Sequence, residues 1–379
     1  MSTHYDYAIV GAGIIGLAHA YHLGKRGHRV IVFERTPQAQ GASIRNFGMI
    51  WPIGQPAGDT LQIALRSRNI WKELLEESGI WHEKTGSLHL AYHLDEWQIL
   101  QEFVATAPEN GYTASLETPQ EIADRSSAIV QQGLLGGMWS PTEICVDPRK
   151  VIAELPTYLE KRYGVVFRYG YPVTGYNHPK VYAGGGEYYA EHLLLCAGDD
   201  VRTLYPEILQ AEKMVPCKLQ MMRSQPYGDS WRIGPMLAAG LTLRHYRSFE
   251  HCPSLPALKA RIAQENPEYD QYGIHVMTSQ NGNGEVVIGD SHEYGADITP
   301  FDKPEIDDMI LGYLKTFLNA PDLRIGQRWH GIYAKHPTHT YRILSPDKGV
   351  TAVTAVGGSG MTLSFGVAEK TVTEHLGEN

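Results

Sequence analysis

The start of the chain alternates short apolar runs with glycine-rich or polar turns. Residues 7–10 form an apolar run, residues 11–16 read Gly-Ala-Gly-Ile-Ile-Gly, residues 17–26 space their apolar positions as a helix does, and residues 29–33 form a second apolar run. Apolar runs of this length between turns are typical of buried strands. The pattern predicts a β-α-β unit of about 30 residues, with the glycines where the first strand meets the helix.

The same alternation of strand, turn and helix returns twice further along the chain. In chain order the pattern predicts a helix over 148–162, a strand over 165–168, a hairpin at 183–186, a strand over 192–196, a strand over 349–356, a glycine turn at 357–361 and a helix over 362–376. Three α/β blocks are therefore expected in this chain.

The stretches between these blocks have a different character. They are rich in Tyr and Trp and contain short alternating runs such as 285–288, which favours an antiparallel sheet. The sequence predicts an α/β (α+β) protein with two domains. A Rossmann-like domain is expected to be assembled from residues 1–85, 145–218 and 325–379, and an inserted antiparallel-sheet substrate domain from residues 86–144 and 219–324.

Charge and composition exclude several classes of function. The 379 residues include 33 Lys and Arg against 42 Asp and Glu, for a formal net charge of −9, and the basic residues are not clustered. A nucleic-acid surface needs such a cluster, so we expect no nucleic-acid partner. No apolar run reaches about 18 residues, and the first strand begins too near Met1 to leave room for a signal peptide. We therefore expect a cytoplasmic protein without a membrane partner.

The cysteines do not indicate a disulfide framework or a metal site. They lie far apart, and none forms a CxxC pattern or a Cys/His pair at zinc-ligand spacing. The four positions are Cys145, Cys196, Cys217 and Cys252.

The glycine turn after the first strand has the pattern of a dinucleotide site. Glycine at positions 11, 13 and 16 lets a pyrophosphate approach the free N–H groups and the positive dipole end of the following helix. Glu34 ends the second strand, eighteen residues after Gly16, where a carboxylate can accept hydrogen bonds from a ribose. A carboxylate there disfavours a 2′-phosphate, so FAD or NAD is expected rather than NADP.

A second set of motifs distinguishes FAD from NAD. It comprises the Gly-Ala-Ser-Ile-Arg-Asn-Phe-Gly segment at 41–48, Val-Asp-Pro at 146–148, Leu-Leu-Cys-Ala-Gly at 194–198, Val-Ile-Gly-Asp at 287–290, Trp-His-Gly at 329–331 and Gly-Gly-Ser-Gly-Met-Thr at 357–362. With these motifs in order, the chain resembles the D-amino-acid oxidase, glycine oxidase and sarcosine oxidase family of FAD-dependent oxidoreductases. The resemblance implies a glutathione-reductase type of FAD-binding domain.

The resemblance also implies roles for individual residues around FAD. Glu34 and Arg35 would face the adenosine, Val173 the adenine, and the 41–48 segment the pyrophosphate and flavin. Gly331 and the loop before the last helix would approach the pyrimidine side of the flavin. The full set of implied cofactor residues is Gly11, Gly13, Ile14, Ile15, Gly16, Glu34, Arg35, Ala42, Ser43, Arg45, Asn46, Val173, Ala197, Gly198, Gly331, Gly358, Ser359, Gly360, Met361 and Thr362. In members of the family with covalent flavin, a cysteine lies in the segment before the final strand. Residues 334–344 contain no cysteine, so the resemblance implies a non-covalent FAD.

The substrate side departs from the family pattern. The resemblance leads one to expect an arginine, as a carboxylate clamp, two residues beyond the glycine of Trp-x-Gly, whereas this chain has Tyr333, followed by Lys335 and His336. A phosphonate or phosphate dianion would suit several converging N–H donors. Catalytic candidates are Tyr333, Lys335, His336 and Tyr246, and substrate-binding candidates are Lys218, Gln220, Arg244, His245, Met49 and Trp51. His339 and Arg342 are further candidate donors near the chain's end.

The segments 43–52 and 240–246 resemble a branch of this family that is associated with phosphonate degradation. The resemblance implies hydride removal from the carbon beside the nitrogen of 2-aminoethylphosphonate or its N-methyl derivative, hydrolysis of the imine to aldehyde and amine, and O2 as electron acceptor. Oxidation of glycine, sarcosine or a D-amino acid is an alternative, as are a 2-hydroxy acid dehydrogenase and a flavin-binding protein without chemistry. Monomer and homodimer both remain open.

Overall fold

The computed structural model describes residues 4–295 and 298–377. Its strands, in chain order, are β1 His4–Val10, β2 Val30–Glu34, β3 Met49–Ile50, β4 His82–Glu83, β5 Ser87–Ala91, β6 Ser115–Glu117, β7 Gly136–Ser140, β8 Ile144–Val146, β9 Val166–Tyr169, β10 Val173–Asn177, β11 Lys180–Ala183, β12 Gly186–Leu195, β13 Val215–Ser224, β14 Met236–Ala239, β15 Met277–Gln280, β16 Val286–Gly289, β17 Glu293–Tyr294, β18 Ile325–Lys335, β19 Arg342–Asp347 and β20 Val350–Thr354.

The helices lie between these strands. In chain order they are α1 Ile14–Lys25, α2 Asp59–Ser78, α3 Leu94–Thr106, α4 Pro119–Arg125, α5 Pro148–Tyr163, α6 Pro206–Ala211, α7 Gly240–Leu243, α8 Leu255–Glu265, α9 Pro267–Gln271, α10 Pro304–Phe317 and α11 Gly360–Lys370. Short turns of 3-10 helix cover Ala42–Ile44, Pro52–Gly54, Arg247–Phe249 and Gly357–Ser359, and a π-helical turn, Thr371–His375, follows α11.

An eight-stranded sheet carries the predicted β-α-β unit. Its main order is β10-β11-β12-β1-β2-β9, with β20 beside β12 and β19 beside β20. The pairs β1–β2, β1–β12, β2–β9 and β12–β20 are parallel. Parallel strands are covered on both faces, which explains why the β2 sequence Val-Ile-Val-Phe-Glu is buried at every position. Helices α1, α2, α5 and α11 supply the apolar side chains of a core cluster on this sheet.

A nine-stranded sheet forms the second unit. Its order is β17-β13-β16-β15-β14-β5-β7-β6, with β18 paired along β13. Its pairs are antiparallel except β14 with β5, which is parallel. These two strands come from different inserts, so no hairpin joins them and their relative direction is not dictated by a turn. The predicted boundaries at 218 and 325 fall within β13 and at the start of β18, and both strands pair inside this sheet.

The predicted elements at the two glycine turns begin earlier than expected. Helix α1 starts at Ile14 with Gly13 as its N-cap, so the last part of the glycine motif is already helical. Helix α11 starts at Gly360 rather than 362, because Gly360 adopts helical dihedral angles (φ −54°, ψ −45°). Both turns are therefore the first turns of helices, which leaves their backbone N–H groups facing outward from the helix ends.

The fold buries several histidines whose pKa values are lowered chiefly by burial. The pKa of His89 falls to about 3, and neither of its ring nitrogens has a hydrogen-bond partner. His19 and His22 are likewise shifted, to about 4 and about 3. A histidine with a folded-state pKa below its unfolded value of about 6.5 binds its proton first in the unfolded chain, so stability is lost as pH falls.

We expect His89→Leu to reduce the acid sensitivity of the fold. Between about pH 6.5 and about pH 4, wild-type protein should lose roughly 3 kcal/mol more free energy of unfolding than the variant, because the variant lacks one buried neutral imidazole. Urea unfolding at both pH values measures the difference. Equal losses in the two proteins would contradict the assignment of His89 as a neutral core side chain.

Within the described residues, no helix combines the length and the apolar content that crossing a membrane requires. All four cysteines carry free thiols and are buried.

Candidate functional site

A cavity of about 740 Å³ runs between the two sheets. It begins beside the carboxyl ends of β1, β2 and β12, passes the 39–47 segment and reaches the face of the nine-stranded sheet near the ends of β13, β16 and β18. A crevice at the carboxyl ends of parallel strands is the general location of ligands in open α/β sheets. Its lining therefore connects the glycine turn after β1 with polar side chains at the nine-stranded sheet.

The glycines at the start of α1 allow very close backbone packing. Gly11 has φ +101°, and a Cβ there would lie 2.4 Å from the backbone oxygen of Cys196. A Cβ on Gly16 would lie 2.0 Å from the oxygen of Gly11, so the first and third glycines of the motif bring strand, helix and the β12 end together. Gly13 lines the cavity, while the N–H of Ile14 donates to Ser43 Oγ at 3.0 Å. A phosphate group can approach this end of α1.

Glu34 is held rigidly at the edge of the cavity. Its Oε2 accepts a hydrogen bond from the Ala12 N–H at 3.1 Å, and its Oε1 accepts from the Thr36 N–H at 3.0 Å and the Thr36 hydroxyl at 2.7 Å. The neighbouring Arg35 forms an exposed ion pair with Asp200 at 2.9 Å. These contacts fix a carboxylate where a ribose hydroxyl would need an acceptor.

The 41–48 segment forms a compact turn over the cavity. Asn46 Nδ2 donates to the backbone oxygens of Ala42 and Ser43, both at 3.0 Å, and its Oδ1 accepts from the Gly48 N–H at 2.8 Å. Arg45 Nη1 donates to the His330 backbone oxygen at 3.0 Å and so joins the turn to β18. The Asn46 side chain thus shapes the turn, although the residue also lines the cavity.

The amino end of α11 faces the same cavity. No side chain caps this helix, and the Gly357–Ser359 turn that precedes it lines the cavity. Ala355, just before the turn, has φ +62°, a left-handed conformation that is uncommon for a residue with a Cβ. Uncapped N–H groups and the helix dipole at this position can stabilise negative charge on a bound ring.

The residues present fit an FAD. Seventeen of the twenty predicted cofactor residues line the cavity, and Gly16, Gly331 and Thr362 do not. A Cβ on Gly331 would lie 2.8 Å from Leu219 Cδ1, so this glycine serves the packing of β18 on β13. Thr362 Oγ1 accepts a hydrogen bond from the Trp51 N–H at 2.9 Å. These three residues support the walls of the cavity rather than forming them.

Five of the predicted catalytic and substrate-binding residues lie together at the end of the cavity beside the nine-stranded sheet. Tyr246, His245, Tyr333, Lys335 and His336 all line it. Lys335 is exposed, and its Nζ donates to the Tyr294 hydroxyl at 3.0 Å. Burial raises the pKa of Tyr246 and of Tyr333, so both remain phenols. The Tyr246 hydroxyl donates to Met277 Sδ at 3.3 Å, and a thioether is a weak acceptor that a ligand anion can replace.

The loop between β18 and β19 lines the cavity mouth. The Nε2 of His336 lies 3.7 Å from Glu212 Oε2, and Arg342 forms an ion pair with the same carboxylate. His339 packs edge-on against His336, with ring centroids 4.5 Å apart. The carboxylate of Glu212 is therefore the anion that His336 and Arg342 contact in this structure.

The structure does not bring the other predicted substrate residues to the cavity. Lys218 is fully buried, and its Nζ lies 2.8 Å from Asp302 Oδ1 and donates to the backbone oxygens of Thr299 and Phe301. Contrary to the prediction from sequence, Lys218 is therefore not a substrate-binding residue at this cavity. A buried ammonium must satisfy its donors locally, and here the 299–302 segment provides all the acceptors.

Gln220 and Arg244 are likewise occupied elsewhere. Gln220 exchanges hydrogen bonds with the backbone of Lys303 and donates to Asp307 Oδ1 at 3.0 Å. Arg244 pairs with Asp270 at 2.9 Å and donates to two backbone oxygens. Neither side chain lines the cavity. Both fasten the helices and loops around the nine-stranded sheet.

Met49 and Trp51 are core residues outside the cavity wall. Both are buried in the large core cluster of the nine-stranded sheet, and neither lines the cavity. The Trp51 ring lies 5.4 Å from the His89 ring and 6.5 Å from the Tyr246 ring, measured between centroids. Trp51 therefore supports Tyr246 from behind.

Lys218→Met should destabilise the protein without changing substrate affinity. Loss of the ammonium leaves carbonyl groups of the 299–302 segment without a donor, which we expect to cost about 1–3 kcal/mol of unfolding free energy. Thermal unfolding and the KM of the same preparation measure the two effects. A large rise in KM with unchanged stability would restore Lys218 as a substrate residue.

The cavity also contains a cluster that the sequence reasoning missed. Asp290 lies at its centre, with His275 Nε2 at 2.9 Å and His292 Nδ1 at 3.8 Å from its Oδ1. The His245 and His275 rings stack with centroids 3.8 Å apart, and the His245 and His292 centroids are 4.5 Å apart. One ring nitrogen from each of the three imidazoles lies within 4.8 Å of the others. We call Asp290, His245, His275 and His292 the Asp290–histidine cluster.

The charge state of this cluster follows from its burial. Burial lowers the pKa of His245 well below its ordinary value and that of His292 to about 4. Both imidazoles are therefore neutral at neutral pH. All four members of the cluster line the cavity.

A long-range pairing, rather than a local motif, assembles the cluster. Strands β15 and β16 are antiparallel, with Met277 opposite Gly289. Beyond them, His275 and Asp290 exchange backbone hydrogen bonds of 3.2 and 2.8 Å. The signal in the sequence was the Val-Ile-Gly-Asp motif at 287–290, whose polar end meets His275 only when the two strands are paired.

Comparisons with known proteins agree with this geometry. The family model described as "DAO: FAD dependent oxidoreductase" matches residues 6–373. The glycine oxidase of Geobacillus kaustophilus strain HTA426 is 39% identical over 88 residues, which cover 23% of this chain and 22% of that protein. The monomeric sarcosine oxidase of Bacillus sp. strain B-0618 is 28% identical over 165 residues, which cover 41% of this chain and 42% of that protein. These alignments span less than half the length of either relative.

A solved structure shows the same fold over nearly the whole chain. The glycine oxidase structure from Geobacillus kaustophilus matches with a TM-score of 0.76 at 20% sequence identity, covering 98% of this chain and 95% of that chain. The predicted fold class is thereby confirmed.

Proposed function

The chain belongs to the DAO family of FAD-dependent oxidoreductases, and from this premise we propose that it oxidises a small amine carrying an anionic group. The family confirms the predicted FAD cofactor. The observation that carries the proposal is the meeting of hydrogen-bond donors, a cation and a buried acid–base cluster at one end of the cavity that fits FAD. When bound, FAD supplies the acceptor for a hydride.

Different residues of the chain would bind different parts of the FAD. The Glu34 carboxylate would accept from the ribose, and the amino end of α1 would face the pyrophosphate. The uncapped amino end of α11 would stabilise negative charge on the pyrimidine side of the reduced ring, which favours reduction. No cysteine stands in 334–344, so we propose that the FAD is held without a covalent bond.

The substrate's anionic group would be held by Lys335 and the phenols of Tyr246 and Tyr333. A lysine ammonium and several neutral donors suit a tetrahedral dianion, whereas a single carboxylate is matched best by a bidentate arginine. The position where the family resemblance leads one to expect that arginine is Tyr333. We therefore propose 2-aminoethylphosphonate or its N-methyl derivative as the substrate.

The reaction would remove two electrons and two protons from the amine. The carbon beside the nitrogen gives up a hydride and the nitrogen gives up a proton, which leaves an imine. Water adds to the imine, and the C–N bond breaks to give an aldehyde together with ammonia from the primary amine, or with a primary amine from the N-methyl derivative. O2 would take up the two electrons and two protons to give H2O2. The buried walls of the cavity keep bulk water away during hydride transfer.

Oxidation of glycine or sarcosine is the second candidate, because the similar proteins bear those names. O2 uptake by the purified protein with a matched panel separates the candidates. The panel holds 2-aminoethylphosphonate, its N-methyl derivative, 2-aminoethylsulfonate, glycine, sarcosine and lactate.

We expect a kcat/KM for one of the two phosphonates at least about tenfold above that for the sulfonate, which has the same carbon chain but one negative charge fewer. Higher values for glycine or sarcosine would overturn the phosphonate assignment. Activity with lactate alone would overturn the amine assignment.

A further inference from the structure

The Asp290–histidine cluster lies beside the cavity, and hydride transfer to a flavin leaves open which group takes the proton of the substrate ammonium. An aliphatic amine with a pKa of about 10 enters the cavity mainly as an ammonium ion. Its nitrogen must lose a proton before the lone pair can assist the departure of a hydride from the neighbouring carbon. This requirement rests on the proposed function and would apply to phosphonate and amino-acid substrates alike.

The cluster places a carboxylate beside three imidazoles at the cavity wall. It combines one buried carboxylate with imidazoles, two of which burial keeps neutral, and it lines the cavity. His275 makes the closest contact with Asp290, with Nε2 at 2.9 Å from Oδ1. The two atoms do not have hydrogen-bond geometry, so Asp290 Oδ1 and His275 Nδ1 are both without a hydrogen-bond partner among the described residues. A carboxylate this close to the ring stabilises, by its charge, the imidazolium that forms when Nδ1 accepts a proton.

The groups around the cluster set its charge balance. Tyr246 precedes a 3-10 turn and packs on the His275 ring, with centroids 5.8 Å apart. From β18, Tyr333 packs on His292 at 6.4 Å, and the Lys335 charge lowers the pKa of His245 and His292. From β17, Tyr294 stacks on His292 at 6.2 Å. Arg244 also acts on His245, but its own charge is paired with Asp270.

We propose that the Asp290–histidine cluster accepts the proton that the substrate ammonium must lose before oxidation. The N–H bond of the ammonium breaks, its electron pair stays on the nitrogen, and the proton forms a new N–H bond on Nδ1 of His275. The buried negative charge of Asp290 is balanced at the same moment.

The pH dependence of anaerobic flavin reduction tests this directly. Wild-type holoenzyme at saturating substrate should be reduced at a rate that is nearly constant from about pH 7 to about pH 9. In Asp290→Asn the rate at about pH 7 should fall by about 10²-fold to 10⁴-fold. It should then rise about tenfold per pH unit as the free amine becomes more abundant. His275→Gln should behave in the same way.

The rescue at high pH separates proton acceptance from a structural role. A residue that only supports the cavity would change the rate equally at every pH. His89→Leu is the matched control, because it removes a buried histidine that does not line the cavity. It should leave the shape of the pH profile unchanged.

A second readout does not need turnover. Dithionite-reduced holoenzyme labelled with ¹⁵N-histidine is mixed with 2-aminoethylphosphonate or with sarcosine, and side-chain nitrogen resonances are recorded by NMR. The His275 imidazole, identified by its absence from the spectrum of His275→Gln, should change from the neutral to the imidazolium pattern when the amine binds.

The outcomes distinguish this inference from the proposed function. If an amine reduces wild-type enzyme while the imidazoles stay neutral and Asp290→Asn keeps a wild-type pH profile, the inference fails and the function stands. If neither amine reduces the flavin but the imidazolium forms, the function fails and proton acceptance stands. If neither amine binds, both are overturned. One equivalent of a divalent metal in purified enzyme, lost in His275→Gln, would also overturn the inference, because the ring nitrogens would then be ligands.

Discussion

Lys335→Met is expected to raise the KM for an anionic amine by about tenfold to 100-fold, with a change of less than about threefold in the limiting rate of flavin reduction. A hydrogen bond to a charged group contributes about 1.5–3 kcal/mol, which corresponds to that range of affinity. Lys335 lines the end of the cavity proposed for the substrate, where its Nζ contacts the hydroxyl and the ring face of Tyr294 and forms no ion pair with the other described residues. Its charge is therefore available to a ligand.

The salt dependence of the KM provides a further check. Because Lys335 is exposed, its attraction for a dianion should weaken as ionic strength rises, and the variant should show a smaller salt effect than wild type. Lys348→Met is the matched control, since Lys348 is also exposed but lies outside the cavity lining. Equal KM values for Lys335→Met and wild type would show that another group holds the anion.

Gly11→Ala is expected to yield protein that binds FAD at least about 100-fold more weakly or is purified without it. The added Cβ would lie 2.4 Å from the Cys196 backbone oxygen, and φ at this position is +101°. Both the collision and the backbone strain displace the turn that presents Gly13 and the amino end of α1 to the pyrophosphate. The ratio of visible flavin absorbance to protein absorbance, followed by fluorescence titration with FAD, measures the loss.

Gly27→Ala separates collision from backbone strain. Gly27 also has a positive φ, +87°, but a Cβ there would meet nothing within 4 Å. This variant should lose roughly 1 kcal/mol of stability and retain its FAD. If Gly11→Ala kept wild-type FAD affinity, the close approach of β1, α1 and β12 would not be what forms the cofactor site.

The parts of the fold that sequence predicts well are those specified by neighbouring residues. The β1–turn–α1–β2 unit follows from apolar runs and glycines within residues 7–34. The proposed cofactor residues Glu34 and Ser43, which line the cavity, follow from their position relative to that unit. Errors there are small shifts in where helices begin. They arise because glycine tolerates both turn and helical dihedral angles, so composition does not locate the boundary.

The substrate end depends on pairings between distant segments. The parallel contact of β5 with β14 joins two inserts, and the β15–β16 pair brings His275 to Asp290. The periodicity of apolar residues within a strand does not show which distant strand it pairs with, so neither pairing can be predicted from local sequence. Residue type alone favours Lys218, Gln220 and Arg244 as substrate-binding residues, because cations and amides often bind anions. The sequence does not show that these side chains lie next to internal carboxylates and carbonyl groups, because those partners come from distant segments of the chain.

Flavin reduction by an amine under anaerobic conditions tests the central claim most directly. Purified protein is mixed in a stopped-flow instrument with 2-aminoethylphosphonate, its N-methyl derivative, glycine, sarcosine or lactate, and the visible absorbance of oxidised flavin is followed. We predict rapid, complete bleaching by at least one amine, fastest with a phosphonate, and none with lactate. A yellow protein that no amine bleaches, or that only lactate bleaches, would contradict the assignment of this chain as an amine oxidoreductase.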